Sequence, residues 1–302
     1  MRLDFKVDKK GVKTGCKMFV KAFGVLLLSC CFLSSPALAQ KKQSDSYCPS
    51  LKAGIVVAYP PFSWTTQEAL PISGFKTVLH GFYKDFLKQV LSEAVYDGHF
   101  SNIVTFSSYD DAFNALTENR IDVLSGIYYN ADVAKYAQPI YPAFYNNTFR
   151  ALFKNGKEKP LSELKNLKGA VIEEEEVFWY EMLPFVRDKV QNVEIMESEE
   201  AFLALLSGDI DFILSGQIFG QSQIERFALE QEVSFSKEVF RNPNVFIAVR
   251  KKDFCPAARQ ALEKQLRRFE QEPSLFYEMI SSQLKKYKEL FENNPPLTVK
   301  EK

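Results

Sequence analysis

The sequence predicts an α/β fold with two similar lobes, and three observations support this prediction. Short apolar runs with β-branched centres alternate with amphipathic helical stretches, a pattern typical of α/β proteins. One helix–turn–strand unit occurs twice along the chain. The 263 residues that follow an N-terminal leader exceed the length of one ordinary domain.

Hydrophobic periodicity predicts the first elements of the chain. Residues 53–58 form a compact apolar run and are interpreted as a buried strand. Apolar side chains recur at helical spacing through residues 82–95, which predicts a helix. The next strand is predicted at residues 103–106, with Asp110 as the N-cap of the helix that follows it.

The repeated unit comprises residues 112–126 and 201–216, and each copy reads as a helix, a polar turn and a short buried strand. The two predicted strands end in Ser125-Gly126 and Ser215-Gly216. Ligands of open α/β sheets bind beyond the carboxyl ends of the strands, and glycine lets them approach the backbone closely. We therefore expect both Ser-Gly ends to face one shared crevice. The alternative is two ordinary strand-to-loop turns in units that merely look alike.

The C-terminal part of the chain is predicted to be helical. Helical spacing extends over residues 258–269 and resumes over residues 275–287, and Pro273 interrupts it. The tail at 293–302, which contains two consecutive prolines and several charges, is expected to be frayed.

The first 39 residues are interpreted as a cleaved secretory signal. A basic segment with seven lysines and arginines precedes a short apolar run, and Ala37-Leu38-Ala39 supplies the cleavage pattern. The apolar run is too short for a transmembrane helix. A cleaved signal of this kind predicts a periplasmic protein. The two alternatives are a retained anchor and a lipoprotein attached at Cys30.

The charge that remains after cleavage argues against nucleic acid as a partner. The leader removes seven basic and two acidic residues, which leaves 31 basic against 36 acidic residues and a net charge of −5. A chain without a basic stripe lacks the electrostatic footprint of nucleic-acid binding.

Cysteine usage agrees with export. Only Cys48 and Cys255 follow the leader, and an even pair in an oxidising compartment predicts a disulfide. The alternative is two isolated thiols. These cysteines and the two histidines do not complete a zinc or iron–sulfur site, so we expect no metal and no cofactor.

Five segments carry a family resemblance through their order and spacing. They are Tyr-Pro-Pro-Phe-Ser-Trp at 59–64, Gly-Phe-Tyr-Lys-Asp at 81–85, the units ending at 126 and 216, and Leu-Lys-Asn-Leu-Lys-Gly at 164–169. Together they resemble the family 3 periplasmic solute-binding proteins of type II fold, whose best-known members capture polar amino acids. The resemblance extends from about residue 51 to residue 287.

The resemblance implies a topology in which the chain crosses twice between the lobes. It places lobe one at 48–143 plus 246–292, lobe two at 149–239, and a two-strand hinge at 144–148 and 240–245. Cys48 and Cys255 then belong to one lobe. It also implies a monomer that closes around its ligand by rigid-body rotation and delivers it to the membrane permease of an ABC transporter.

The site chemistry departs from that of the amino-acid binders. Where they carry an arginine for the ligand carboxylate, this chain has Val133. Where they carry an acid for the ligand ammonium, it has Gln217. Four glutamates at 173–176 replace a small Gly/Thr loop and would attract a cation if they face the crevice. We therefore do not expect an ordinary α-amino acid as the ligand.

We expect a ligand with an aromatic or planar part, or with cationic groups. The candidate ligand-binding residues are Tyr59, Phe62, Trp64, Ser125, Gly126, Tyr128, Tyr129, Asn130, Glu174, Glu175, Ser215 and Gln217. The alternatives are core packing for each aromatic ring and a solvated helix start for the acids.

Two competing functions remain open. Some relatives in the family are dehydratases, and clustered glutamates could serve as general acid and base. The missing arginine and the absence of any Ser-His-Asp, Cys-His or phosphate-loop pattern argue against an enzyme. The other alternative is an exported sensor or orphan binding module on the same fold.

Overall fold

Two five-stranded sheets organise the chain in this computed structural model, which describes residues 47–69, 74–131, 133–175, 178, 189–292 and 297. The strands are β1 (Ala53–Val56), β2 (Trp64–Ala69), β3 (Phe75–His80), β4 (Ile103–Phe106), β5 (Val123–Tyr128), β6 (Ala137–Asn146), β7 (Phe149–Lys154), β8 (Lys168–Ile172), β9 (Asn192–Met196), β10 (Phe212–Gly216), β11 (Val233–Phe235) and β12 (Asn244–Arg250). The helices are α1 (Phe82–Ser92), α2 (Tyr109–Thr117), α3 (Ser198–Ser207), α4 (Gln217–Arg226), α5 (Pro256–Gln271) and α6 (Pro273–Glu289). The predicted leader lies outside the described residues.

The two sheets have closely related arrangements. The strand order is β4-β1-β5-β12-β6 in the first sheet and β11-β7-β10-β8-β9 in the second. Each contains three mutually parallel strands, extended on one side by two antiparallel ones. We call the first sheet with its packed helices lobe one and the second lobe two. The predicted two-lobed α/β fold is confirmed.

The chain passes between the sheets at two neighbouring places. It leaves lobe one where β6 gives way to β7, and it returns between β11 and β12. Strands β6 and β12 pair side by side as far as Asn146 opposite Asn244, so the two connections run next to each other. Such a pair of strands can act as a hinge. The lobe boundaries expected from the sequence, with crossings at 144–148 and 240–245, stay a prediction.

An aromatic core fills lobe one. The ring of Phe144 on β6 lies 4.6 Å from Phe86 on α1 and 5.2 Å from Phe82, centroid to centroid. Phe269 and Phe276, from the two C-terminal helices, pack against the same group. Aromatic pairs at these separations add to the area that each ring buries. The core therefore fixes α5 and the start of α6 to lobe one.

The predicted disulfide is confirmed. Cys48 and Cys255 are bonded, with their Cα atoms 5.8 Å apart and a sequence separation of 207. The bond ties the segment before β1 to the first turn of α5, where Cys255 is the N-cap residue and Pro256 opens the helix.

Several local expectations need correction. Ser108, not Asp110, caps α2, because its side chain accepts from the backbone N–H of Asp111. Strand β5 continues past Ser125-Gly126 to Tyr128, so the first Ser-Gly pair lies within the strand and not at its end. The first strand is shorter than expected and ends at Val56.

Two further observations concern the hairpin and the tail. Strands β2 and β3 form a separate two-stranded sheet that the sequence did not suggest. The tail was expected to be frayed, but its one described residue, Leu297, donates its backbone N–H to the carbonyl of Phe227 at 3.1 Å. Within the described residues, no helix combines the length and apolar character needed to cross a membrane.

Candidate functional site

A fully buried carboxyl lies where the two lobes meet. Strand β8 is followed by a short 3-10 helix, Glu173–Glu175. Its three glutamates differ in environment: Glu173 is exposed, Glu174 is partly buried, and Glu175 has none of its surface exposed. Because a 3-10 helix turns by a third of a circle per residue, only one of the three side chains can point inward.

Donors from both lobes satisfy the Glu175 carboxyl. One oxygen, Oε2, accepts from the Ser215 hydroxyl at 2.5 Å. The other, Oε1, accepts from the Gly216 backbone N–H at 2.9 Å and from the Tyr59 hydroxyl at 3.1 Å. Tyr59 belongs to lobe one, whereas Ser215 and Gly216 end β10 in lobe two. The carboxyl therefore connects the lobes directly.

Asn147 extends this network into the hinge. Its side-chain Nδ2 donates to the hydroxyl of Tyr128 at 2.9 Å and to that of Tyr59 at 3.2 Å. Its backbone N–H donates to the carbonyl of Pro243, on the returning connection, at 2.9 Å. We call the six residues Tyr59, Tyr128, Asn147, Glu175, Ser215 and Gly216 the interlobe cluster.

Aromatic rings from both lobes enclose the cluster. The ring of Tyr59 stacks on Phe219 of lobe two at 4.8 Å and on Phe62 at 5.5 Å. Phe178 meets Tyr59 edge-on at 5.2 Å and Tyr128 at 4.6 Å. These rings exclude water from the polar groups, which strengthens their electrostatic interactions.

Burial sets the ionisation of the cluster. Desolvation raises the pKa of Glu175 to about 8, against the lowering effect of its three hydrogen-bond donors. Burial likewise raises the pKa of Tyr59 and of Tyr128 well above the ordinary value, so both phenols are neutral. Within the described part of the chain, Glu175 forms no ion pair with a lysine or an arginine.

Gly216 is required by the close packing of the cluster. A Cβ atom at this position would lie 2.5 Å from Asn147 Oδ1 and 2.9 Å from Glu175 Oε1. Both contacts are shorter than real Cβ atoms tolerate. The backbone at Gly216 has φ −61°, so proximity and not backbone conformation excludes a side chain.

The structure brings four of the predicted site residues together: Tyr59, Tyr128, Glu175 and Ser215. The second Ser-Gly end lies in the cluster, as the repeat suggested. The first borders it less directly, since Gly126 accepts from the hydroxyl of Tyr109, whose ring lies 5.7 Å from Phe178. The Ser125 hydroxyl is buried and has no hydrogen-bond partner among the described residues.

The remaining predicted residues lie elsewhere or serve the scaffold. Phe62 packs behind Tyr59 in the core and stacks on Tyr145. Trp64 opens β2 and packs between His80 and Tyr287.

Four more predicted residues lie outside the cluster. Tyr129 contacts Phe246. The side chain of Asn130 accepts from the backbone N–H of Val133, which stabilises a turn. The side chain of Gln217 accepts from Arg150, and the Ser198 hydroxyl donates to Glu174 at 3.4 Å.

Sequence reasoning missed Asn147, Phe178 and Phe219. Asn147 lies in the expected crossing, and a polar residue between two apolar strands was the available signal. Phe178 and Phe219 carry no distinguishing signal in a chain with 27 phenylalanines. Among the residues that the structure describes, no group of three or more His, Cys, Asp or Glu side chains could hold a metal ion.

Comparison with known proteins identifies the fold through structure alone. No protein-family model matches the sequence, and no curated protein matches it. A substrate-binding protein of an amino acid ABC transporter, AbpA from Streptococcus pneumoniae bound to L-arginine, aligns with TM-score 0.57 at 14% identity. The alignment covers 82% of this chain and 98% of that one.

Two other solved structures have the same architecture. The ligand-binding domain of AvGluR1 in complex with phenylalanine aligns with TM-score 0.58 at 15% identity, over 83% of this chain and 97% of that one. A histidine kinase sensor domain similar to periplasmic binding proteins aligns with TM-score 0.51 at 16% identity, over 82% and 98%. The chain has the type II periplasmic-binding-protein fold.

Proposed function

We propose that this chain is an exported solute-binding protein that captures a small cationic ligand between its two lobes. The observation that carries the proposal is the Glu175 carboxyl, which is fully buried at the lobe interface without a cationic partner among the described residues. The two connections between the lobes are joined at Asn147, whose backbone N–H donates to the carbonyl of Pro243. They provide a hinge about which such a site can open.

The physical argument concerns the charge of the site. An ionised carboxylate in a water-excluded site is costly unless a cation pairs with it, and burial raises the pKa of Glu175 for this reason. A ligand ammonium or guanidinium would supply the missing partner. The rings of Tyr59, Phe178 and Phe219 add aromatic surface for cation–π contact.

The same site is unsuited to the carboxylate of an α-amino acid. Val133, where a carboxylate-binding arginine would be expected from the family resemblance, is a buried apolar residue. Glu175 would repel a ligand carboxylate placed beside it. The L-arginine bound by the Streptococcus pneumoniae protein has a guanidinium as well as an α-carboxylate, so it serves as a probe of which of the two groups decides binding here.

Isothermal titration across a pH series tests the proposal. The probes are putrescine, spermidine, L-arginine and L-glutamate. The proteins are the wild type, Glu175→Gln and the control Glu173→Gln, which changes an exposed side chain of the same short helix.

Below pH 8, the affinity for the cation is expected to increase by up to about tenfold for each unit by which the pH is raised, because the ligand pairs with ionised Glu175. Glu175→Gln should abolish this slope and Glu173→Gln should retain it. Tight binding of L-glutamate, or cation binding that is unchanged in Glu175→Gln, would overturn the assignment.

We further propose delivery of the ligand to the membrane permease of an ABC transporter, by a monomer located in the periplasm. The amino acid ABC transporter protein with the same fold supports this role. The expected result is that the ligand-loaded protein stimulates the ATPase activity of its ABC transporter.

We do not propose catalysis, because the compared structures are binding and sensor domains. Turnover of a bound compound by the purified protein would contradict a purely binding role.

A sensor module is the second candidate. The interlobe cluster already joins the lobes through the chain's own side chains, an arrangement suited to signalling by a change in closure. The similarity to a histidine kinase sensor domain also favours it. Specific binding to a partner receptor, without stimulation of any permease, would distinguish this role from transport.

A further inference from the structure

The C-terminal helix α6 begins as part of lobe one. Phe276 stacks on Tyr145 at 5.4 Å and meets Phe82 edge-on at 5.2 Å, centroid to centroid. Farther along, the side chain of Gln283 donates to the Asp85 carboxylate of α1 at 2.8 Å. The first three turns of the helix are therefore fixed to lobe one by apolar and polar contacts.

The other end of the helix packs against lobe two. The Lys288 ammonium lies 3.1 Å from a Glu230 carboxylate oxygen, just beyond α4. The guanidinium of Arg226, the last residue of α4, lies 5.2 Å from the centre of the Phe291 ring. Past the helix, the backbone N–H of Leu297 donates to the carbonyl of Phe227 at 3.1 Å.

Tyr287 joins the two sets of contacts. Its ring meets Trp64 of lobe one edge-on at 5.4 Å. Burial raises the pKa of its phenol, and the nearby side chains of Arg226 and Gln223 in lobe two lower it. The residue is buried, with 6% of its surface exposed. One side chain is thus held between the two lobes at a site away from the hinge.

We propose that Tyr287, Lys288, Phe291 and Leu297 form a C-terminal strap that holds the two lobes together and limits how far they open. Rotation about the hinge would move α4 away from lobe one, and these contacts would have to break. The strap acts on the lobes whatever ligand the crevice takes, so it does not rest on the proposed cationic ligand.

The contacts of the strap differ in strength. The Lys288–Glu230 pair leaves 47% and 38% of its side chains exposed, so it contributes orientation more than stability. The buried ring of Tyr287 and the Arg226–Phe291 contact contribute more. Weakening the strap should therefore shift the population between closed and open forms without unfolding either lobe.

Double electron–electron resonance, which measures the distance between two spin labels, tests the strap in the absence of ligand. The labels are placed at Asp110→Cys and Glu199→Cys, exposed positions at the starts of α2 and α3, with the native disulfide intact. The strap variant is Lys288→Glu combined with Phe291→Ala. The matched control is Leu290→Ala, which removes a half-exposed side chain from the same end of α6.

The strap variant is expected to increase the open fraction at least fivefold, and Leu290→Ala should leave it unchanged. The milder variant Lys288→Glu, which replaces this exposed ion pair by two like charges and leaves the packed rings in place, should give a smaller increase. Adding Glu230→Lys to Lys288→Glu should reverse that increase. Distance distributions that match the wild type in all strap variants, or an equal change in Leu290→Ala, would overturn the proposal.

Discussion

The hydroxyl of Tyr59 lies 3.1 Å from Oε1 of Glu175, a hydrogen bond between residues 116 positions apart that links lobe one to lobe two. Tyr59 follows β1, and Glu175 follows β8, the first parallel strand of the second sheet. The contact therefore joins corresponding ends of the two sheets. It places an acid whose pKa is raised by burial at the point where the lobes separate.

The pH dependence of stability should report Glu175. Burial raises its pKa from the ordinary 4.5 to about 8, so the unfolded state loses this proton first as the pH rises. The stabilisation is complete below about pH 4.5 and is lost as the pH rises through 8. The free energy of unfolding should fall in this window by up to about 1.4 kcal/mol per pH unit.

Urea unfolding at pH 5, 6, 7 and 8 measures this slope in the wild type and in Glu175→Gln. The variant keeps a neutral side chain of the same shape and should have the flatter profile. Tyr59, Tyr128 and Glu174 also interact electrostatically with the carboxyl. Burial raises the pKa of Glu174 as well, which adds a slope of the same sign. Parallel profiles for the wild type and the variant would refute a buried, protonated Glu175.

Asn147→Ala should destabilise the protein by about 1–3 kcal/mol, because it removes the donor shared by the Tyr59 and Tyr128 hydroxyls and leaves buried polar groups unsatisfied. The neighbouring exposed Asn146 provides the control, and Asn146→Ala should change stability by less than about 0.5 kcal/mol. Chemical denaturation of both variants checks the difference. Equal effects would mean that the network contributes little.

Gly216→Ala should cost about 1–3 kcal/mol through overpacking against Asn147 and Glu175. It should also increase the radius of gyration, because displacing Glu175 weakens its hydrogen bond to Tyr59 of lobe one. Gly208→Ala is the control: its φ is +85°, and no atom lies within 4 Å of the added Cβ. This control should lower stability through backbone strain and leave the radius unchanged, as X-ray scattering in solution would test.

Replacing both Cys48 and Cys255 by serine should lower the free energy of unfolding by about 3–5 kcal/mol, because the disulfide closes a loop spanning 207 positions and restricts the unfolded chain. The wild type in reductant should behave like the double variant. Thiol titration of the denatured, unreduced mature protein should detect no free thiol. Two titratable thiols would contradict the bond.

Local sequence patterns were sufficient for the elements whose burial follows from periodicity. The helix predicted near 82–95 was found because it buries one apolar face, and the strand at 103–106 was found because its three apolar side chains are partly buried while Thr105 is exposed. The cap of α2 was misassigned, because Ser108 and Asp110 are both good N-cap residues and only the geometry of the turn selects one. The β2–β3 hairpin was missed because its strands are mostly exposed and polar.

The candidate site was predicted only in part, for a related reason. Glu175 was one of four consecutive acids, and the sequence could not tell which of them is buried. Trp64 was assigned to the crevice because it follows a proline-rich loop, yet it packs between His80 and Tyr287. Aromatic residues suit both a site and a core, so composition does not distinguish the two roles.

By itself, the sequence determined the α/β class, the duplicated helix–strand unit and the pair of cysteines free to bond, because these depend on local periodicity and on residue counts. The tertiary structure alone decided that Glu175, Tyr59 and Asn147 meet, and that Tyr287 lies between the lobes. Such contacts join residues far apart in the chain. Their distances follow from how the two sheets and the last helix pack, which no local pattern encodes.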